Sequence, residues 1–287
     1  MAQRARTVVV SAMNIAMHRP HSRERYVELF SSAYDVHKLY AQGEIHGLIL
    51  GSLYGIGDAV QTNELSGEIY RFVKVDANEP WFNTVTRKQA TEKEVQQISI
   101  PRHLLAHMQK IPFIFFPREH ELWYVSKDKS GVLAPGIVEK YLQTLFDHVV
   151  ADQQFPQVDV TALPDEDALE EVFNVPGLHR VELTFKRPNP DDVGDLAARF
   201  EQRLAGLNVQ SRQEVLTAKR GDRLQPDPQL LAEAEVAARN GRVTSVGVDE
   251  HGTPIEVTTA KRPKRVFMRF SEAKETIREL IKRAKNQ

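Results

Sequence analysis

The chain has 287 residues, 41% of them hydrophobic, which is enough to bury a substantial core in one large domain or two of ordinary size. With 38 basic and 39 acidic residues its formal net charge is -1, which excludes a global attraction for polyanions and leaves local charge segregation as the basis for binding them. The absence of cysteine excludes disulfides, thiolate catalysis and cysteine-ligated metal centres.

The apolar stretches of the sequence are short. The run from Ile111 to Phe116 cannot cross a bilayer, and the N-terminal region lacks the hydrophobic segment of a signal peptide. We therefore expect a cytoplasmic protein without a membrane partner. No motif calls for a cofactor.

The first half of the chain predicts a mixed α/β domain over residues 1–152. The β-branched run Val8-Val9-Val10 indicates a strand over residues 7–17, and Ser22 as an N-cap indicates a helix from 22 to about 42. Further strands are predicted at 45–54, 67–75, 111–117 and 121–125, the last two as a hairpin, and an amphipathic helix at 135–150.

The second half predicts an α+β domain over residues 153–287, because strand-like and helix-like segments alternate after a polar boundary near residues 151–156. Strands are predicted at 158–161, 178–185, 209–217, 242–248 and 255–259, and helices at 165–173, 191–207, 227–240 and 271–285, the last of them basic. Gly241 is placed where a left-handed helix end is expected. The predicted fold class is thus α+β, with two mixed domains.

Histidine pairs are the first candidates for metal binding. His18 and His21 flank Arg-Pro, but a metal site needs two further ligands, so structural or solvent-exposed histidines are favoured. His103 and His107 have the i, i+4 spacing of one helix face, yet the Glu of a metallohydrolase motif is missing.

Glycines and acid pairs do not complete a catalytic motif either. Gly51, Gly55 and Gly57 lack the Lys-Ser/Thr ending of a phosphate-binding loop, which favours turn glycines. The acid pairs occur at predicted helix starts or on helix faces, where capping or solvation explains them. Scattered acids of a two-metal nuclease remain an alternative.

The segment Lys186-Arg187-Pro188-Asn189-Pro190-Asp191-Asp192 predicts a rigid corner between a strand and a helix. Its two prolines prevent regular hydrogen bonding, and its two carboxylates suit a helix N-terminus. A turn with a cap explains the pattern; the alternative is a basic lip on a nucleic-acid or phosphate surface.

Charge is segregated along the second half. Residues 261–287 contain ten Lys or Arg and three Glu, a net +7, whereas residues 151–180 contain one Arg and seven acids, a net -6. Three basic clusters follow predicted strands, so we expect them to converge on one face and to contact phosphates without reading bases; ordinary solvated loops are the alternative. The predicted nucleic-acid-binding residues are Lys186, Arg187, Lys219, Arg220, Arg223, Lys261, Arg262, Lys264 and Arg265.

Several runs resemble a bacterial family called domain of unknown function 4747, over most of the chain. They are Asn14-Ile15-Ala16-Met17-His18, Leu65-Ser66-Gly67-Glu68-Ile69, Pro80-Trp81-Phe82-Asn83, Phe115-Phe116-Pro117, the corner segment 186–192, and residues 216–226. This resemblance implies no catalytic residues. The order and length of the elements also resemble the phage exclusion protein RexA and similar proteins, which implies dimeric binding of duplex DNA in phage exclusion.

These observations lead to one hypothesis and two alternatives. We expect a non-catalytic, homodimeric protein of bacterial anti-phage defence that binds double-stranded DNA without sequence preference. The first alternative is an enzyme, a metal-dependent nuclease or RNase effector. The second is a protein-interaction regulatory subunit, which exposed Trp81 and Trp123 would favour.

Overall fold

A computed structural model describes residues 5–76, 79–101, 103–153, 155–188 and 195–287. The strands are β1 Arg6–Met17, β2 Tyr40–Gln42, β3 His46–Tyr54, β4 Leu65–Val73, β5 Phe82–Asn83, β6 Lys88–Gln89, β7 Ala106–Phe116, β8 Glu121–Asp128, β9 Gly131–Val132, β10 Val158–Ala162, β11 Arg180–Lys186, β12 Ser211–Thr217, β13 Gly241–Val248, β14 Pro254–Thr258 and β15 Val266–Phe270. The α-helices are α1 Arg23–Asp35, α2 Ala59–Thr62, α3 Glu92–Val95, α4 Pro135–Gln153, α5 Ala168–Phe173, α6 Asp195–Gly206, α7 Pro228–Arg239 and α8 Ile277–Lys285.

The mixed α+β class is confirmed, and the long predicted strands and helices form close to their expected positions. Ser22 caps α1, since its Oγ accepts a hydrogen bond from the backbone N–H of Arg25 at 3.2 Å. The helix ends at Asp35 rather than near 42, because the chain turns at His37, with φ 51°, into β2. His103 and His107 do not share a helix face, because His107 lies in β7.

Within the described ranges the first sheet has nine antiparallel strands. Its order is β10-β1-β8-β7-β4-β3-β2, with β15 beside β1 and β9 beside β8. One side of β1 is shared by two partners: its first half pairs with β15, Val8 opposite Met268, and its second half pairs with β10, Ile15 opposite Val160. Because β10 and β15 come from the second half of the chain, this sheet spans the predicted division at residues 152 and 153.

Alternation along the strands gives this sheet two apolar faces, each with its own cover. On one face α1 and α4 pack over a core that includes Phe30, Phe113 and Phe146. On the other face α8 places Leu280 and Ile281 in a second core. The basic helix α8 therefore packs against the sheet as well as carrying charge.

The second sheet has, among the residues that the structure describes, four antiparallel strands in the order β12-β11-β13-β14. Helices α5, α6 and α7 contribute to its core with side chains such as Val172, Phe200 and Ala234, which meet Leu183 and Phe185 of β11. Phe185 and Phe200 stack with ring centroids 4.5 Å apart.

Gly241 has a role other than the one predicted. It is not in the left-handed conformation and begins β13 directly after α7. A Cβ at this position would lie 2.1 Å from the carbonyl oxygen of Thr184. Glycine is therefore required for close approach of two backbones, which a helix-end pattern in the sequence does not reveal.

No helix in the described ranges is both long and apolar enough to cross a membrane.

Candidate nucleic-acid interface and buried ionic network

The predicted basic clusters do not share one face, because the second sheet is antiparallel. Lys186 at the end of β11 pairs with Ser211, the first residue of β12, whereas Thr217 at the end of β12 pairs with Arg180. Seven-residue strands thus separate Lys186 from the loop that follows Thr217 by roughly 20 Å. The expected convergence of the basic clusters is wrong, because neighbouring antiparallel strands run in opposite directions and their C-terminal ends lie at opposite ends of the sheet.

Lys186 and Arg187 turn into the protein. Lys186 Nζ donates a hydrogen bond to the carbonyl oxygen of Val160 in β10 at 3.0 Å. The Arg187 guanidinium lies 3.4 Å from Glu201 Oε1 of α6 and 3.5 Å from His18 Nδ1, with its side chain only 15% exposed. These two cations therefore connect the second sheet to the first. Asn189, Pro190, Asp191 and Asp192 of the predicted corner lie outside the described residues.

Buried ionisable side chains gather at this connection. In the described ranges the buried Asp, Glu and His residues are His18, His120, Asp159 and Glu201. Arg187 contacts both Glu201 and His18, and His18 in turn contacts Asp159. The ring of His120 lies 4.8 Å from that of Tyr26, whose hydroxyl accepts a hydrogen bond from the backbone N–H of Met17. Burying a charged side chain costs free energy unless the charge is paired, which accounts for the grouping of these residues in one place.

The contacts of His18 define its tautomer. Its Nδ1 faces an N–H of Arg187, a group that can only donate, so Nδ1 acts as the acceptor. Its Nε2 then carries the proton and donates to Asp159 Oδ2 at 2.9 Å. A His–carboxylate pair is also the unit of general base catalysis, but both ring nitrogens of His18 are engaged and the residue is 6% exposed. The arrangement therefore fits a structural role, in which these contacts hold the second sheet against the first.

A second set of contacts connects the end of α7 to the first sheet. Asn14 Nδ2 of β1 donates to Asn240 Oδ1 at 2.9 Å, just after α7. Arg239, the last residue of α7, pairs with Glu121 of β8 at 3.1 Å. The C-terminal end of α7 is thereby held against the first sheet by both neutral and ionic hydrogen bonds.

Ion pairs neutralise most of the positive charge of residues 261–287, the basic tail. Seven of its ten cations have carboxylate partners: Lys261 with Glu256, Arg262 with Glu171, Lys264 with Glu166, Arg278 and Lys282 with Glu64, Arg283 with Glu275, and Lys285 with Glu119. The acidic and basic segments noted in the sequence thus partly cancel each other. The predicted phosphate contacts of Lys261, Arg262 and Lys264 would have to compete with these pairs.

Glu64 shows the electrostatic effect of this pairing. Burial favours its neutral form, but hydrogen bonds from Lys282 and Arg278 outweigh burial and hold the pKa of Glu64 below its ordinary value. The helix α8 is therefore attached to the first sheet by ion pairs as well as by its apolar residues.

One predicted basic cluster keeps its charge available. Lys219, Arg220 and Arg223 are exposed, and their side chains have no ion pair or hydrogen bond to other described residues. Loop 219–223 also contains Asp222, which leaves a net charge of 3 - 1 = +2. Arg223 lines a cleft of about 470 Å³ together with Asp222, Asp249 and Glu250, so carboxylates surround it. Lys219 and Arg220 are not among the residues that line this cleft.

The structure also decides the roles of the candidate metal ligands, the candidate loop glycines and Trp123. Across the described residues no group of three or more His, Cys, Asp or Glu could hold a metal ion. Gly51 is a strand residue on which the ring of Tyr70 packs, whereas Gly55 has the positive φ of a turn glycine, 75°. Trp123 is buried and donates to Glu121, so it is not an exposed anchor for a partner.

Sequence reasoning missed the buried network and the strand β15. A carboxylate in the apolar run Val158-Asp159-Val160 was the available signal for the network, since a charge in a buried strand needs a partner. The alternating run Arg265-Val266-Phe267-Met268-Arg269-Phe270 was the signal for β15. The partners of both came from distant parts of the chain.

Comparison with known proteins identifies a family. The model of the family described as Domain of unknown function (DUF4747) matches residues 6–286, nearly the whole chain. No curated protein matches the chain significantly.

Proposed function

This chain belongs to the DUF4747 family, and we propose that it is a non-catalytic, homodimeric protein of bacterial anti-phage defence that binds duplex DNA without sequence preference. The observation that carries the proposal is the exposed loop 219–223, whose cations have no partner among the described residues. The defence role and the dimer rest on the resemblance in element order to RexA-like proteins.

The predicted cations differ in whether they are available to phosphate. Lys261, Arg262 and Lys264 already have carboxylate partners, and Arg187 is held by Glu201. A phosphate that recruits a paired cation must replace its carboxylate. An unpaired, solvated cation needs only to release counterions from the DNA, which is the favourable term in non-specific binding.

Within the loop, the contributions should differ. Lys219 and Arg220 are the primary phosphate contacts in this proposal. Arg223 contributes less, because carboxylates of Asp222 and Asp249 line the same cleft and oppose a phosphate there. Two or three contacts from one loop bind weakly, and a homodimer that presents two loops would raise the affinity through a second, intramolecular contact.

The test is the salt dependence of binding to two unrelated duplexes, measured by fluorescence anisotropy. Replacing Lys219 and Arg220 together by Ala should weaken binding to both duplexes similarly. The logarithmic salt slope should fall by roughly 0.9 for each phosphate contact that is lost. Arg223→Ala should have a smaller effect.

A matched control is Lys88→Ala with Lys93→Ala, two exposed cations without a described ion pair in another part of the chain. This variant should keep the wild-type slope. An equal effect of both double variants would mean that only net charge matters and would remove loop 219–223 as the interface. Cleavage of the duplexes in Mg²⁺ or Mn²⁺ would instead favour the nuclease alternative.

A further inference from the structure

Strand β15 presents an exposed basic and aromatic surface. Its alternating residues turn Val266, Met268 and Phe270 inward, while Arg269, the preceding Arg265 and Phe267 are exposed. Phe267 is 69% exposed. An exposed aromatic ring flanked by a cation on each side along the chain is unusual for a residue whose only role is packing, because burial of the ring would be favourable.

The ion pairs of the tail leave these same cations free. Of the ten cations in residues 261–287, Arg265, Arg269 and Lys274 are those without an ion pair to other described residues. Lys127 of β8, opposite Val9 in the register, is likewise exposed and has no ion pair within the described ranges. Three of these cations, Arg265, Arg269 and Lys127, lie beside Phe267 in the sheet.

A cleft opens beside this surface. Its volume is about 230 Å³, and its lining includes Phe267, Arg265 and Lys127, with Val9 and Pro135 at the start of α4. No carboxylate among the described residues lines it. Two other clefts differ in this respect, because one is lined by Glu170 and Glu235 and the other by three acids. The basic cleft is thus suited to an anion.

The hydroxyl of the buried Tyr124 lies next to this cleft. Burial raises the pKa of the Tyr124 hydroxyl, and the positive charge of Arg265 acts against that increase. The hydroxyl donates to the carbonyl oxygen of Leu133, a residue that also lines the cleft. This hydrogen bond connects the buried Tyr124 to the wall of the cleft.

We propose that this cleft binds a nucleoside phosphate, with the phosphate between Lys127 and Arg265 and the base stacked on Phe267. The pairing of an aromatic platform with flanking cations is how proteins hold nucleotides without reading their sequence. A cleft of this volume is smaller than a typical drug-sized pocket, which suits one nucleotide whose base lies on the outer rim. The site does not use loop 219–223 and so goes beyond the proposed binding of duplex DNA.

The nucleotide can be free or part of a single strand, and titration calorimetry separates these sources. The probes are ATP, adenosine, tripolyphosphate and a 5′-phosphorylated deoxythymidine decamer. ATP should bind more tightly than adenosine or tripolyphosphate, because it supplies both base and charge. If the decamer binds more tightly than ATP and ATP competes with it, the source is a single strand; the reverse order indicates a free nucleotide.

Two variants and their controls test the residues. Phe267→Ala should weaken binding about 5- to 150-fold, the range expected for loss of one stacked base. Phe82→Ala, which removes a ring that is 67% exposed elsewhere, should leave binding unchanged. Lys127→Ala and Arg265→Ala should each weaken binding about tenfold or more, whereas Lys274→Ala should not.

All of these side chains are exposed, so the variants should keep the wild-type melting temperature. Equal binding by Phe267→Ala and Phe82→Ala would overturn the proposal. So would tripolyphosphate binding as tightly as ATP, or no binding of ATP or the decamer at millimolar concentration. Because loop 219–223 is intact in these variants, their binding to duplex DNA distinguishes failure of this site from failure of the proposed function.

Discussion

Replacement of Glu201 by Ala tests whether the buried network holds the two sheets together. Glu201 accepts contacts from Arg187 at 3.4 Å and Arg19 at 3.5 Å, and its side chain is 6% exposed. Removal of the carboxylate leaves the Arg187 guanidinium, 15% exposed, without its anionic partner.

The magnitude follows from burial and distance. Breaking a buried ion pair costs about 3–5 kcal/mol, but these contacts are longer than a charge-assisted hydrogen bond, so we expect a loss of about 2–3 kcal/mol. In a protein of 287 residues that loss corresponds to a decrease in melting temperature of roughly 3–5 °C. Urea unfolding followed by circular dichroism and a thermal melt measure the two quantities.

The control is Glu166→Ala, which removes the same charge from an ion pair with Lys264 at 3.0 Å whose carboxylate is 76% exposed. Its effect should stay within about 1 kcal/mol. If Glu201→Ala costs no more than this control, the network does not hold the second sheet against the first. Replacing Arg187 and Glu201 together by Met should cost less than Glu201→Ala, since Arg187 Nε is buried without a partner among the described residues and the double change removes it.

Two further predictions concern backbone packing and pH. Gly241→Ala should destabilise the protein by about 1–3 kcal/mol in urea unfolding, because the new Cβ would lie 2.1 Å from the carbonyl oxygen of Thr184. Gly136→Ala, which places its Cβ in open space, should be neutral or slightly stabilising. Equal effects of the two substitutions would contradict the close approach of the backbones at Gly241. The pKa of Glu64 is lower in the folded protein than its ordinary value of 4.5, so the stability that Glu64 contributes should be present above that pH and disappear as pH falls through the folded pKa. Melting temperatures of wild type and Glu64→Gln should therefore differ at neutral pH and approach each other in acid; a difference that does not change with pH would exclude the ion pairs with Lys282 as its source.

Local patterns were sufficient for much of the fold. The β-branched run at Val8, the Ser22 cap and the proline at the start of α4 act within a few residues, so strand, helix start and helix are visible in the sequence. The family could also be recognised from short runs of residues, and its model matches residues 6–286. The same locality explains why the mixed α+β class was predicted correctly.

The candidate sites depended on pairings that no local pattern contains. The sequence shows three basic clusters, but the direction of each strand decided that Lys186 and Lys219 lie at opposite ends of the sheet. It shows a net charge of +7 in the tail, but carboxylates such as Glu64, more than 200 residues away in the chain, decided which cations stay available. Composition and periodicity are determined residue by residue, whereas the availability of a charge depends on which distant group the fold brings within hydrogen-bonding distance. That is why the sequence alone determined the elements and the tertiary structure decided the surfaces.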